Sequence, residues 1–124
     1  MKKLLFIPFL FICSMVIGQS SKIIGTPIEI GSLEVAQYDL YPMNWNDAKK
    51  ACAVLGNGWR LPTKDELNLV YLNKDKIGGF ANNYYWSSTE FDIDVAWVQN
   101  FFQGYENYGT KLNRYYVRAV RSLK

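Results

Sequence analysis

The chain has 124 residues, 49% hydrophobic and 16% aromatic, with 14 basic against 11 acidic side chains and a net charge of +3. That length suits a single domain, and so small a charge excess excludes a nucleic-acid footprint. Histidine is absent, which removes the commonest general base and a leading metal ligand together.

Lys2 and Lys3 precede the apolar run "LLFIPFLFICSMVI" (4–17), then small Gly18 and polar Gln19-Ser20-Ser21. A basic start, a short apolar core and a small residue at a plausible cut predict a secretory signal peptide over 1–18. The run is too short to span a bilayer, which takes about 20 residues in a helix, so no membrane span is expected after cleavage. Cys13 raises lipidation as an alternative to removal, but bulky Ile12 precedes it where that processing requires a small residue. Export to the periplasm, cell surface or exterior is the expectation. Without 1–18 both Lys2 and Lys3 are lost, leaving 12 basic against 11 acidic residues and a charge of +1. Cys52 then has no internal partner, and the core must hold the domain without a disulfide.

Residues 19–34, with Gly25, Pro27 and Gly31, read as a lead-in with some strand character, and the domain proper is placed at 35–124. "LEVAQYDL" (33–40) alternates as one half-buried strand. The period then changes: Trp45, Ala48, Ala51, Cys52 and Leu55 form one helical stripe over 45–55. Asn44 is its N-cap, Asp47 lies in the first turn, and Gly56 is the natural stop. Thr63 and Glu66 have capping-box spacing and predict a second helix over 64–72, with Leu67, Val70 and Tyr71 on its buried stripe. A polar loop follows over 73–83. "YYWSST" (84–89), "DVAWVQNFFQ" (94–103) and "YYVRAVRS" (115–122) read as strands, the last two joined by the long connection "GYENYGTKLNR". The predicted class is α+β, two helices packed on short antiparallel strands.

The segments "WNDAKKACAVLG", "GWRLPTKDEL", "YYWSST", "AWVQNFFQG" and "YYVRAVRS", in that order, resemble bacterial Lcl C-terminal-type domains, named for the C-terminal domain of a collagen-like adhesin. More distantly they are similar to formylglycine-generating sulfatase-modifying enzymes. The resemblance covers roughly 36–122 and implies a C-type-lectin-like fold in an exported, often surface-associated module. For the adhesin domain it implies glycosaminoglycan binding. The enzymes work through paired cysteines with bound copper, whereas Ala119 stands where many relatives carry a cysteine. Cys52 lies on a buried helical stripe, where a thiol is inert. The reading is therefore non-enzymatic, with no cofactor.

In calcium-dependent sugar-binding lectins a Trp-Asn-Asp tripeptide supplies metal ligands from a late strand. Here Trp45-Asn46-Asp47 opens an early helix and lacks the companion loop, while calcium takes six to eight oxygens. Helix entry is the better reading. Glu90, Asp92 and Asp94 alternate with Phe91 and Ile93, which suggests a solvated strand edge with the apolar pair inward; a weak cation site is the alternative. Arg60 and Arg118 are expected to tie loops to carboxylates such as Glu66, leaving Arg121, Lys111 and Arg114 freer.

The remaining candidates are loop residues, where binding groups concentrate. Tyr84, Tyr105, Asn107, Tyr108, Lys111, Asn113 and Arg114 offer rings for sugar faces and polar groups for hydroxyls, with Asn82 and Asn83 beside Tyr84. The expected function is a non-catalytic binding module for a glycan or an envelope partner, working without calcium. The alternative is a structural or assembly protein docked on an envelope protein, ahead of a sulfatase-modifying-type enzyme. The sequence names no oligomeric state.

Overall fold

The computed structural model describes residues 22–123. The proposed signal peptide, its Cys13 and the first residues of the lead-in lie outside the described residues. In chain order the elements are β1 (Ile28–Ile30), β2 (Leu33–Val35), β3 (Leu40–Met43), α1 (Trp45–Ala53), α2 (Lys64–Leu72), α3 (Lys74–Ile77), β4 (Tyr84–Glu90), β5 (Val95–Asn100), β6 (Glu106–Thr110), β7 (Tyr115–Val117) and β8 (Val120–Ser122). A three-stranded sheet runs β1-β2-β8, and a five-stranded sheet runs β3-β7-β4-β5-β6. All pairings are antiparallel except β4 with β7, where Tyr85 meets Tyr116 in parallel. The class is α+β, as expected, with that one parallel contact added.

The helix starts follow local chemistry. Asn44 Oδ1 accepts the Asp47 N–H at 2.9 Å, satisfying one of the donors that a first turn leaves open. The first helix ends at Ala53, two residues before the expected Leu55. Leu55 stays buried, its N–H turning back to Cys52 O at 3.1 Å, and Gly56 follows in the left-handed region at φ 74°. The second helix spans 64–72 as expected, and its capping box is complete: Glu66 N–H donates to Thr63 Oγ1 and Thr63 N–H to Glu66 Oε1. Arg60 grips both oxygens of the same Glu66, at 2.6 and 2.9 Å.

Several strand expectations are corrected. "LEVAQYDL" is not one strand: β2 ends at Val35, and only Leu40 belongs to β3, which lies in the other sheet, while "YYVRAVRS" splits into β7 and β8. Both breaks fall at the same place, where Ala36 N–H donates to Ala119 O at 3.0 Å. The cause is Arg118, 1% exposed, which turns into the core. It donates to Asp39 Oδ1 (2.8 Å), Ala36 O (3.0 Å) and Gly78 O (3.2 Å). The loop at 73–83 contains α3, which buries Ile77. The expected lead-in contributes β1 and much of β2, with Ile30 and Leu33 buried. β5 stops at Asn100, whose Oδ1 accepts the N–H groups of Phe102 and Gln103.

The core lies on both faces of the large sheet. Successive β residues point to opposite sides, so Trp86 packs with Trp45, Ala48 and Cys52 of α1, while Tyr85 packs with Leu67, Val70 and Ile77. Each of the larger side chains so buried contributes about 1.5–3 kcal/mol. Ser87–Thr89 interrupt the β4–β5 register and join the helices to the sheet. Trp45 Nε1–H donates to Ser87 O, Ser88 N–H to Pro62 O, and Lys64 N–H to Thr89 Oγ1. The "WSST" and "RLPT" runs therefore serve the scaffold.

Candidate functional site

Register decides which candidates share a face. Residues directly opposite in an antiparallel pair project to the same side. Tyr84 opposes Asn100, Trp86 opposes Val98, and Val98 opposes Asn107. Tyr84, Asn100 and Asn107 thus continue the α1 face beyond the core residues Trp86 and Val98.

On that face the Tyr84 and Tyr105 hydroxyls are hydrogen-bonded at 3.0 Å, and Asn100 Nδ2–H donates to Tyr105 Oη at 3.4 Å. The Tyr84 ring packs 6.1 Å from Tyr105 and 5.6 Å from Tyr115, which packs 4.8 Å from Trp86. Asn113 Nδ2–H donates to Tyr115 Oη at 2.9 Å. Gly109 makes room for this ring, since a Cβ there would fall 2.8 Å from Tyr115 Oη. The hydrogen bond with Tyr105, helped by the amides of Asn107 and Asn100, holds the Tyr84 phenol below its ordinary range. The same bond, with some desolvation, pushes Tyr105 up. Tyr105 is 47% exposed and Tyr84 partly so, giving a shallow aromatic surface edged with amides.

Tyr84, Tyr105, Asn107 and Asn113 therefore come together, and the other candidates do not join them. Tyr108 opposes Trp97, on the α2 side of the sheet. It stacks parallel on Phe91 at 4.4 Å and meets Trp97 edge-on at 5.3 Å. Lys64 Nζ sits 3.8 Å above Trp97 and pairs with Glu106. Lys111 is committed elsewhere: its ammonium donates to Glu90 (2.6 Å) and Ile93 O (2.7 Å) and lies over Trp45. Arg114 donates to Pro42 O at 3.2 Å. Arg121, expected to be free, pairs with Glu34 and covers Trp59. Sequence reasoning missed Asn100 and Tyr115 as members of the surface. Their only signal was strand register, which composition does not carry.

The carboxylates of "EFDID" do not converge. The segment is the β4–β5 hairpin tip, so Phe91 and Ile93 are exposed instead of pointing inward. Glu90 is held below its ordinary value by Lys111, and Asp92 Oδ1 accepts the Asp94 N–H. Among the described residues no three or more Asp, Glu, Cys or His side chains gather as a metal site. Asn46 and Asp47 are exposed at the start of α1. A separate apolar groove of about 620 Å³ lies along β3, lined by Tyr38, Leu40, Tyr41 and Tyr116. Its one carboxylate, Asp39, is already bonded to Arg118 and Tyr85.

Residues 25–121 match the model of the Lcl C-terminal domain family, along the two sheets and helices just described. The chain belongs to that family. The match starts inside the expected lead-in, in line with the place of β1 and β2 in this Lcl C-terminal domain. Among solved structures the domain is similar to botrocetin, with 9% identity, a TM-score of 0.61, and coverage of 79% of this chain and 97% of that one. It is also similar to EMS16, described as an antagonist of the collagen receptor integrin alpha2beta1, with 12% identity, a TM-score of 0.57, and coverage of 77% and 96%. The Lcl C-terminal domain therefore has the C-type-lectin-like fold. A comparison with curated proteins finds no match. No helix among the described residues is long and apolar enough to cross a membrane.

Proposed function

We propose that this protein is an exported, non-catalytic binding module that takes up a glycan without calcium at the Tyr84–Tyr105–Tyr115 surface. The observation that carries the reading is the hydroxyl-linked Tyr84–Tyr105 pair, partly exposed and bordered by Asn100, Asn107 and Asn113. Aromatic faces pack against the apolar side of a sugar ring, while amides donate and accept hydrogen bonds as sugar hydroxyls do. Against catalysis stands the chemistry of the chain itself. It has no histidine, and the buried Cys52 thiol is pushed up to about 12 by desolvation, which leaves it protonated and unreactive. Binding of the purified protein to a glycan array, repeated with chelator, tests the reading. Retained binding in chelator supports it; loss of every signal in chelator would overturn the calcium-free mode.

A second reading, docking on an envelope protein, draws on the exposed Phe91, Ile93 and Leu112 at adjoining strand connections, where Lys111 Nζ–H donates to Ile93 O. It also draws on the printed role of EMS16 against a protein receptor. Recovery of one stoichiometric envelope partner, lost in Ile93→Asp, would favour it over glycan binding.

A further inference from the structure

We propose that Asn57 is a site of self-modification: the Gly58 backbone nitrogen, activated by Arg121, attacks the Asn57 side-chain amide and converts it to a carboxylate. Asn57-Gly58 is the one Asn-Gly step in the chain. It forms the tip of the turn between α1 and the buried Trp59, closed by Trp59 N–H donating to Gly56 O at 3.1 Å. Asn57 has φ 53° and Gly58 φ 85°, the paired left-handed conformation that favours Asn-Gly in tight turns. Among the described residues Asn57 is the only one other than glycine with a positive φ.

Arg121 supplies the activation, since its Nη1–H donates to Asn57 O at 3.3 Å. Loss of the Gly58 amide proton places negative charge on that same oxygen, because amide resonance joins the two atoms. A guanidinium hydrogen bond stabilises the anion more than the neutral amide. Gly56, Asn57 and Gly58 are exposed, and a Cβ at Gly58 would meet nothing within 4 Å, so the Asn57 side chain has room to swing over the Gly58 nitrogen. Among the described residues no acceptor engages the Gly58 N–H and no partner engages the Asn57 side chain. By contrast the side chains of Asn44, Asn73, Asn83, Asn100, Asn107 and Asn113 are hydrogen-bonded, and none of them precedes glycine. The ionised nitrogen attacks Asn57 Cγ, a C–N bond forms, and the side-chain nitrogen leaves as ammonia with its protons drawn from water. Water then opens the five-membered imide at either carbonyl, leaving aspartate or isoaspartate. Each product adds one negative charge beside the Arg121–Glu34 pair. Isoaspartate also lengthens the main chain by one methylene just before Trp59.

The test incubates the full protein in mildly alkaline buffer and follows each asparagine by peptide mass spectrometry, with electron-transfer fragmentation separating isoaspartate from aspartate. Asn57 is expected to convert in the folded protein, faster as pH rises, while the equally exposed Asn46 and Asn82 stay intact. Arg121→Gln should slow the conversion about fivefold in the folded protein and leave it unchanged in denaturant, where the guanidinium is no longer in place. Arg121 also pairs with Glu34 and covers Trp59, so circular dichroism should first show that the variant folds. Glu34→Gln, which keeps Arg121 and releases it from its carboxylate, should convert at the parent rate or faster. Asn57 intact in the folded protein, over a time in which the denatured chain converts, would overturn the proposal. A slower rate in Glu34→Gln, or an unchanged native rate in Arg121→Gln, would overturn the role of Arg121.

Discussion

Arg118 and Asp39, 79 residues apart in the chain, form an ion pair whose guanidinium is 1% exposed and whose carboxylate also accepts the Tyr85 hydroxyl at 2.6 Å. The pair sits where β2 passes to β3 and β7 passes to β8, so it fixes the crossing of the two sheets. Burial raises the Asp39 carboxyl above its ordinary value, outweighing the lowering by Tyr85 and Arg118. Desolvation is thus the larger effect even with a cation in contact, as expected of a buried pair.

Removing Arg118 should therefore be severe. Arg118→Met leaves Asp39 without its cation, and Ala36 O and Gly78 O lose a donor. The expected loss is about 3–5 kcal/mol, a large part of a small domain's total of about 5–15. Urea unfolding followed by tryptophan fluorescence measures it. Arg118→Lys should recover little, because an ammonium cannot reproduce the planar fork that reaches three acceptors.

Acid should weaken the Arg60–Glu66 link. Hydrogen bonds from Arg60, opposed by partial burial, hold the Glu66 carboxyl below its ordinary value of 4.5. A depressed folded value means that its stabilisation is present above the unfolded value and is lost as pH falls through the folded one. Both side chains are partly exposed, so the contribution is about 1 kcal/mol or less. Asp39 has the opposite sign: its raised folded value favours the fold at low pH, and that advantage is lost as pH rises through it. Glu66→Gln should lower stability at pH 7 and flatten the acid limb of the unfolding free energy. An unchanged acid limb would show that Glu66 does not drive it.

Cys52 should behave as a core side chain. With its thiol pushed from 9.0 to about 12 by burial, the thiolate fraction at pH 8 falls about a thousandfold. Iodoacetamide should label the native protein only through opening events and label the denatured protein promptly. Mass spectrometry across a denaturant series reads the difference, and prompt native labelling would place the thiol at the surface.

Gly109→Ala tests the packing beneath the tyrosine surface. The added Cβ would lie 2.8 Å from Tyr115 Oη and 2.9 Å from Cε2, so the ring must leave its contacts with Trp86 and Tyr84. Overpacking of this kind costs about 1–3 kcal/mol. The near-ultraviolet circular dichroism of the aromatic cluster should change with it, and an unaltered spectrum would argue against the tight fit.

Both helix starts were legible because their causes are local. Asn44 with Asp47, and Thr63 with Glu66, lie three residues apart, within reach of one helical turn, and their chemistry does not depend on the rest of the molecule. The buried stripe through Trp45, Ala48 and Cys52 follows from helical period in the same way. β6 was not legible. "ENYGT" is an edge strand exposed along most of its length, so no apolar alternation marks it, and only pairing with β5 makes it a strand. The breaks at Ala36–Asp39 and Arg118–Ala119 were hidden for another reason: they depend on a charge meeting its partner across the fold.

The candidate site divides along the same line. Sequence alone determined that aromatic and amide side chains are concentrated between 82 and 115, and that the chain has no histidine and an inert core thiol. Tertiary structure decided which of them act together. Asn107 and Tyr108 are neighbours in the chain, yet the two-residue period of a strand sends one toward Tyr84 and the other toward Trp97. Cross-strand register, set by partners on other strands such as Val98 for Asn107 and Trp97 for Tyr108, turned one run of candidates into two separate surfaces. Composition records which side chains a chain owns; their grouping depends on long-range pairing, which is why it became visible only in the fold.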